Sequence, residues 1–375
     1  MIKSIKIRLI PTKEQEILMN KSVGISRFAY NWGLAKWEEM YKEGLKPNSK
    51  KIKKIFNNTI KKEEEYKWLY EVSGQIPVQS FTDLQNSFNN FFSKKSKYPK
   101  FKSKRKSKES FYVRYERMNI KDNTVNIEKV GRVKFTTNYD VPILDKYVNP
   151  RCNFDGKYWY LTFGYEHDEN QVELNEDLSI GIDLGITNLA VVSCIDNHIK
   201  NINKSYEVKK LTKKLIRLQR QCSRKYEMNK NGKQFIKTQN IIKLEKEIKL
   251  IYRKLTSIRN NHIHQATNSI IKLKPYRVVM ENLNISGMMK NKHLSKAIGE
   301  QKLYEFLRQM EYKCKFNGIE FIKADRFFPS SKMCSSCGNI KKDLKLSDRI
   351  YKCECGLVID RDKNASINLS KYKLA

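Results

Sequence analysis

Apolar and polar residues alternate from the start of the chain. Met-Ile-Lys-Ser-Ile-Lys-Ile-Arg-Leu-Ile reads as a strand over residues 1–10, which Pro11 ends. Thr12 and Gln15 then form a capping-box signature opening a helix. Leu18, Phe28, Trp32 and Trp37 recur loosely at helical spacing to about residue 43, a second helical segment follows, and a third runs from Val78 to Phe92. The period changes after residue 110. Phe111-Tyr-Val-Arg-Tyr, Val125-Asn-Ile-Glu-Lys-Val, Val133-Lys-Phe and Tyr158-Trp-Tyr-Leu-Thr-Phe are short alternating runs between Asn, Gly and Asp, which predicts a small β-barrel. The amino-terminal strand has no other evident partner and is expected to join it.

A third pattern starts near Leu178. Ser179–Ser193 reads as two strands around Gly185-Ile-Thr-Asn188. Two long basic helices follow. One carries Leu211, Leu215, Leu218 and Cys222, the other Ile241, Leu244, Ile248, Ile251, Leu255 and Ile258, all at steps of three and four. Asn231-Gly232 between them predicts an antiparallel hairpin, whose outer cations are available to a nucleic-acid backbone. Tyr276–Glu281 is a strand, Leu303–Lys315 a helix and Ile319–Ala324 another strand, so this part is an α/β sheet interrupted by the hairpin.

Composition changes the picture mainly through charge. The 375 residues allow two or three modules, and 39% apolar with 11% aromatic content is enough for real cores. Lys and Arg number 75 against 40 Asp and Glu, a formal charge of +35 that draws polyanions, nucleic acid first among them. A basic membrane-surface protein would need a lipid anchor or an amphipathic helix with a greasy face, and neither is evident. No run of 18 apolar residues and no secretory signal pattern appears, so no membrane partner and an intracellular (cytoplasmic) location are expected, with cysteines reduced. Lys94–Lys108 holds nine basic residues in fifteen and no acid. Within it Lys94, Lys95, Lys97, Lys100, Lys102, Lys104 and Arg105 interleave with Tyr98 and Phe101, which suits phosphate contact with base stacking.

Three acids stand out against that basic background. Asp183 lies in Gly-Ile-Asp-Leu-Gly, Glu281 ends Val-Val-Met-Glu, and Asp362 lies in Asp-Arg-Asp-Lys-Asn-Ala-Ser at the start of a helix. An acid inside an apolar strand is costly unless it is paired or metal-bound, although Asp362 could equally cap its helix. Together, on two strands and a following helix, the three fit a divalent-metal site of ribonuclease H type, as in a nuclease. Cys334-Ser-Ser-Cys337-Gly and Cys353-Glu-Cys355-Gly offer four thiolates on two turns, the pattern of a structural zinc ribbon, with the second spacer one residue short. Cys152, Cys194, Cys222 and Cys314 are scattered and read as packing. His262 and His264 point to different helix faces and read as satisfied or surface histidines.

These motifs, with Pro-Ser-Ser-Lys-Met before the first cysteine pair, resemble TnpB (OrfB), the insertion-sequence proteins related to type V CRISPR effectors. Arg8–Gln15, Arg27–Asn31 and Tyr98–Lys102 resemble the family too, so the likeness spans nearly the whole chain. The resemblance implies a multidomain α/β plus α+β protein. A β-barrel wedge domain (residues 1–10 and 109–177) would be interrupted by a helical recognition domain (11–108). A ribonuclease H-like RuvC nuclease (178–329 and 358–375, with the hairpin at about 205–260) would carry a zinc-ribbon insert (330–357). It also implies an RNA-guided DNA endonuclease that binds a transposon-encoded guide RNA, recognises a short adjacent DNA motif and cuts double-stranded DNA as a monomer in a ribonucleoprotein. By position, Asp183, Glu281 and Asp362 would be the catalytic triad on two Mg²⁺ or Mn²⁺ ions, and Cys334, Cys337, Cys353 and Cys355 the zinc ligands. Asn31 and Gln79 are the candidates for reading the DNA motif. The rival readings are a guide-free transposase or resolvase-type nuclease and a zinc-ribbon DNA-binding regulator.

Overall fold

The computed structural model describes residues 1–104, 106–167, 172–345 and 347–373. It separates into two units, Met1–His167 and Asp168–Ala375. No helix among the described residues is long and apolar enough to cross a membrane.

In the first unit, strand β1 (Ile2–Ile10) leads into helices α1 (Lys13–Lys42), α2 (Ser49–Asn58) and α3 (Gln75–Phe92). The Thr12–Gln15 capping box is formed at the start of α1. Strands β2 (Glu109–Tyr112), β3 (Ile120–Lys121), β4 (Thr124–Ile127), β5 (Gly131–Thr136), β6 (Val148–Phe154) and β7 (Trp159–Glu166) complete a seven-stranded sheet of order β2-β6-β7-β1-β5-β4-β3. β1 sits at its centre, antiparallel to both β5 and β7. Alternation along β1 buries Ile5, Ile7 and Leu9 and leaves Lys6 and Arg8 exposed. The edges β2 and β3 do not pair with each other, so the sheet is open where the sequence pattern suggested a closed barrel. A two-residue β3 offers too little ladder to close it. Helices and sheet share one apolar cluster that includes Trp37, Phe56, Phe81, Phe111 and Phe163. Arg151 on β6 donates to both carboxylate oxygens of Asp83 on α3 (2.9 and 2.7 Å), a bidentate tie between the layers.

The second unit is built on a sheet of order β10-β9-β8-β13-β14. Its strands β8 (Asn175–Leu184), β9 (Asn188–Val192) and β10 (Ile199–Lys200) precede the hairpin, formed by α4 (Tyr206–Met228), a short β11 (Lys230–Asn231) and β12 (Gln234–Phe235), and α5 (Gln239–Ile271). β13 (Pro275–Glu281), α6 (Ile285–Met288), α7 (Ser295–Gln301), α8 (Leu303–Phe316) and β14 (Glu320–Ala324) follow, then β15 (Ile350–Lys352), β16 (Val358–Asp360) and α9 (Arg361–Ser370). β8, β13 and β14 are parallel, and β9 runs antiparallel to β8. Alternation along β13 decides which helices cover each face. Val278 and Met280 join Ile180 and Ile182 against Ile263 and Ile270 of α5 and Phe306 and Met310 of α8. Val279, Ile322 and Ala324 meet Leu369 of α9 on the other side. The hairpin has its own small core of Leu215, Leu218, Ile251 and Leu255.

Candidate active site

Asp183 lies on β8 one residue before the strand ends, Glu281 is the last residue of β13, and Asp362 is the second residue of α9. Because β8 and β13 are parallel neighbours, both strand acids emerge at the same end of the sheet. Helix α9 crosses the sheet at Gly181, where an added Cβ would stand 1.9 Å from the Ser366 carbonyl oxygen and 2.4 Å from the Ser370 nitrogen. Only glycine admits that approach, and the approach carries Asp362 to the strand ends. All three acids line one cleft of about 410 Å³.

Each acid has a distinct setting. Burial first, then repulsion from Glu281 and Asp362, holds the Asp183 carboxyl well above the usual carboxylate range. Glu281 accepts a hydrogen bond from the Ser330 hydroxyl at 2.5 Å. Asp362 receives Arg361 Nη2 at 3.1 Å, with Arg349 Nη1 4.0 Å away. Asp362 is not the helix cap, a role the sequence left open to it. Asp360 Oδ1 accepts from the backbone N–H groups of Asp362 and Lys363, both at 3.0 Å, and so leaves the Asp362 carboxylate to the cleft. Lys332, Lys345, Arg349 and Arg361 line the same cleft, none of them singled out by the sequence. The one signal that could have found any of the four is the place of Arg361 between Asp360 and Asp362.

The four cysteines converge although the second spacer is a single residue. Their sulfurs all lie within 4.8 Å of one another, with Cys334–Cys355 at 3.7 Å and Cys337–Cys353 at 3.6 Å. Four thiolates about 2.3 Å from a tetrahedral zinc stand roughly 3.7 Å apart, so the donor set fits that ion. Gly338 (φ +78°) and Gly356 (φ +92°) take the left-handed turn after each pair. Burial raises the Cys334 thiol, but the N–H groups of Cys337 and Ser336 and the adjacent sulfurs outweigh it and bring it to about 6. This cysteine ribbon is fastened to α9 by two buried amides. Asn364 accepts from the Ser335 N–H (2.9 Å) and donates to the Met333 carbonyl (2.7 Å), while Asn368 donates to the carbonyls of Ser330 (2.7 Å) and Met333 (2.6 Å).

The remaining expected residues lie in the first unit. Lys94, Lys95, Lys97, Lys100 and Lys104 are exposed, as is Phe101, and Arg105 lies outside the described residues. Lys102 turns inward, its ammonium 3.7 Å from the centroid of the Tyr30 ring, a cation–π contact in place of a free cation. The exposed Tyr98 ring packs edge-on against Phe88 and Phe91, and its hydroxyl donates to Glu38. Asn31 donates to the Lys102 carbonyl (2.8 Å) and accepts from the Lys102 N–H (2.7 Å), so its carboxamide clamps the basic segment. Gln79 donates to Asp83 (3.2 Å). Away from the cleft, His262 shares a hydrogen bond with the Lys200 carbonyl, and burial lowers His264.

Comparison with known proteins finds relatives for this chain. The fold resembles Cas12f1 in its complex with sgRNA and target DNA, with a TM-score of 0.58 at 14% identity, covering 99% of this chain and 98% of that one. Family models match a helix-turn-helix domain of OrfB type over residues 1–46, a probable transposase over 162–292 and a Cas12f1-like TNB domain over 304–369. A Streptomyces pristinaespiralis protein provisionally named RNA-guided DNA endonuclease is 28% identical, covering all of this chain and 90% of that protein. The Escherichia coli (strain K12) protein with the same provisional name, InsQ, is 26% identical over all of this chain and 92% of its own length. The chain is thus similar, along nearly its whole length, to proteins of the TnpB (OrfB) family.

Proposed function

We propose that the protein is an RNA-guided DNA endonuclease whose nuclease part is a ribonuclease H-like (RuvC) domain with a zinc-ribbon insert. The carrying observation is that acids from β8, β13 and α9 meet in one cleft lined by four basic side chains. The donor set is three hard oxygens that repel one another, one of them half-buried with its carboxyl pushed up, and a divalent cation suits such a set. Mg²⁺ or Mn²⁺ held by Asp183, Glu281 and Asp362 would supply the Lewis acidity that activates a phosphodiester. The protein does the positioning. Ser330 orients Glu281, the Asp360 cap fixes the turn that carries Asp362, and Lys332, Lys345, Arg349 and Arg361 hold the non-bridging oxygens of the scissile phosphate. Hydrolysis leaves a 3′-hydroxyl and a 5′-phosphate. Cys334, Cys337, Cys353 and Cys355 would hold a structural zinc.

The relatives' names support the guided reading, and +35 of formal charge suits a chain that carries RNA and DNA together. In this reading the first unit holds the guide scaffold and reads a short DNA motif, with the exposed lysines between Lys94 and Lys104 on phosphates. The test is to sequence the RNA that co-purifies, replace its guide segment and map the cuts. Cuts that follow the new guide, and vanish in Asp183→Ala, support the proposal. Cutting of branched DNA without RNA would overturn the guided part, and DNA binding with no cutting by the intact chain would overturn the nuclease part.

A further inference from the structure

The α4–α5 hairpin takes no part in the site described above. On α4, Tyr206, Lys210, Lys213, Arg217, Arg220 and Arg224 recur at steps of four, three, four, three and four. At about 100° per residue they fall in one wedge roughly 80° wide, and at ~1.5 Å rise per residue the row is about 27 Å long. The apolar stripe of Leu211, Leu215 and Leu218 runs along the opposite side of the helix, into the hairpin core. The row therefore faces solvent, with all five cations exposed and Tyr206 79% exposed.

A solvated helix face ordinarily mixes its charges. Here three of the hairpin's four acids are spent beside the row, with Glu207 on Lys254 (3.0 Å), Glu247 on Lys214 (2.7 Å) and Glu245 on Lys237, and the fourth, Glu227, lies past the row's last cation. Among the described residues no acid pairs with any of the five cations in the row. Like charges three and four residues apart repel along a helix, and a polyanion laid on them reverses the sign.

The foot of the hairpin is bonded to the wall of the carboxylate cleft. Asn201 donates to the Ile186 carbonyl (2.8 Å) and Gln301 to the Gly185 carbonyl (3.3 Å), and both carbonyls belong to cleft-lining residues. Asn203 donates to Gln301 (3.2 Å) and accepts from Arg259 of α5 (2.7 Å). Tyr206 is the first residue of α4, so the aromatic end of the row is the end fixed to the cleft.

We infer that this row is the track along which a single strand of the DNA to be cut approaches the carboxylates. Its five cations follow successive phosphates, and Tyr206 stacks on an unpaired base at the cleft end. Stacking on an exposed ring needs an unpaired base, and charge complementarity supplies the rest. The inference rests on the endonuclease reading, but its test needs neither cutting nor a guide.

Binding of fluorescent oligothymidine to the full-length chain is measured over a range of salt concentrations. With Lys210, Lys213, Arg217, Arg220 and Arg224 all changed to Gln, the slope of log affinity against log salt falls by about 3.5, at ~0.7 per single-strand phosphate contact. Circular dichroism keeps its helical signal, because Gln is a good helix former. Tyr206→Leu weakens oligothymidine binding about tenfold, leaves fully paired duplex unchanged, and is rescued by Tyr206→Phe. An unchanged slope overturns the proposal. So does a loss confined to guide RNA, or an equal loss for duplex with Tyr206→Leu inert. If the slope stays while guided cutting proceeds in the intact chain, the track fails and the endonuclease reading stands. If the slope falls in a chain that cuts nothing, the row binds single-stranded DNA, but the endonuclease reading fails and the delivery to the carboxylates fails with it.

Discussion

The cysteine cluster and the carboxylate cleft are both sets of converging side chains suited to a metal ion, assembled over very different distances. The four cysteines come from a segment of 22 residues, Cys334 to Cys355, and two tight turns bring them together. The three acids span Asp183 to Asp362 and meet only because β8, β13 and α9 are packed as one sheet and its covering helix. A local site should therefore survive damage to the sheet, and a global site should not. The two are also coupled, since Asn364 and Asn368 tie the ribbon to the helix that carries Asp362.

The largest expected effect tests the cleft itself. Asp183→Asn should lower cleavage by on the order of 10⁴, with guide RNA still bound and zinc still present, as read by cleavage assay and metal analysis. Residual cutting within tenfold of the parent would remove Asp183 from the chemistry. Next comes the contact that assembles the site. Gly181→Ala places a Cβ against the backbone of α9 and should cost about 3 kcal/mol in chemical denaturation. Cleavage is lost with it, while the four sulfurs keep their zinc because the ribbon's turns are local. Zinc lost in step with cleavage would mean that the ribbon is not local after all.

Cys355→Ser approaches the comparison from the other side. Zinc content should fall below half, and cleavage about tenfold, because the ribbon presents Lys332, Lys345 and Arg349 to the cleft. The sheet should stay folded by circular dichroism. Asn368→Ala removes one of the two joints between the regions, taking the Asn368 donor from the Ser330 carbonyl and leaving Met333 with Asn364 alone, at a cost of about 2 kcal/mol. Its signature is a partial loss of cleavage at unchanged zinc stoichiometry, where Asp183→Asn nearly abolishes cleavage and Cys355→Ser loses zinc.

How far each region could be read from sequence follows from the same difference. Spacing alone announced the cysteines, and the one-residue gap at Cys353–Cys355 proved geometrically sufficient. The acids were legible as buried charges in apolar strands, since Asp183 and Glu281 break runs of Ile, Val and Met. Their neighbours were not. Ser330, Lys332, Lys345 and Arg349 reach the cleft through loops whose path no periodicity encodes. In the first unit, alternation located the strands but could not tell a closed barrel from an open sheet, because closure depends on pairing at β2 and β3 rather than on pattern. Asn31 looked like a surface amide for a base edge, and only the path of the basic segment reveals Lys102 as its partner.

The smallest effect falls on the residue that separates capping from ligation. Asp360 caps α9 through two N–H groups, so Asp360→Ala should cost about 1 kcal/mol, and Asp360→Ser, which keeps an oxygen acceptor, a few tenths. Because the first turn of α9 carries Asp362, a frayed cap loosens one of the three acids without removing it. Cleavage should fall by about threefold and recover as divalent-ion concentration is raised, whereas Asp362→Asn recovers at no concentration. Denaturation of the two Asp360 variants, with cleavage titrated against Mg²⁺, tests both halves. A loss in Asp360→Ala that Mg²⁺ does not restore would make Asp360 a ligand in its own right, and the cleft would then hold four working carboxylates.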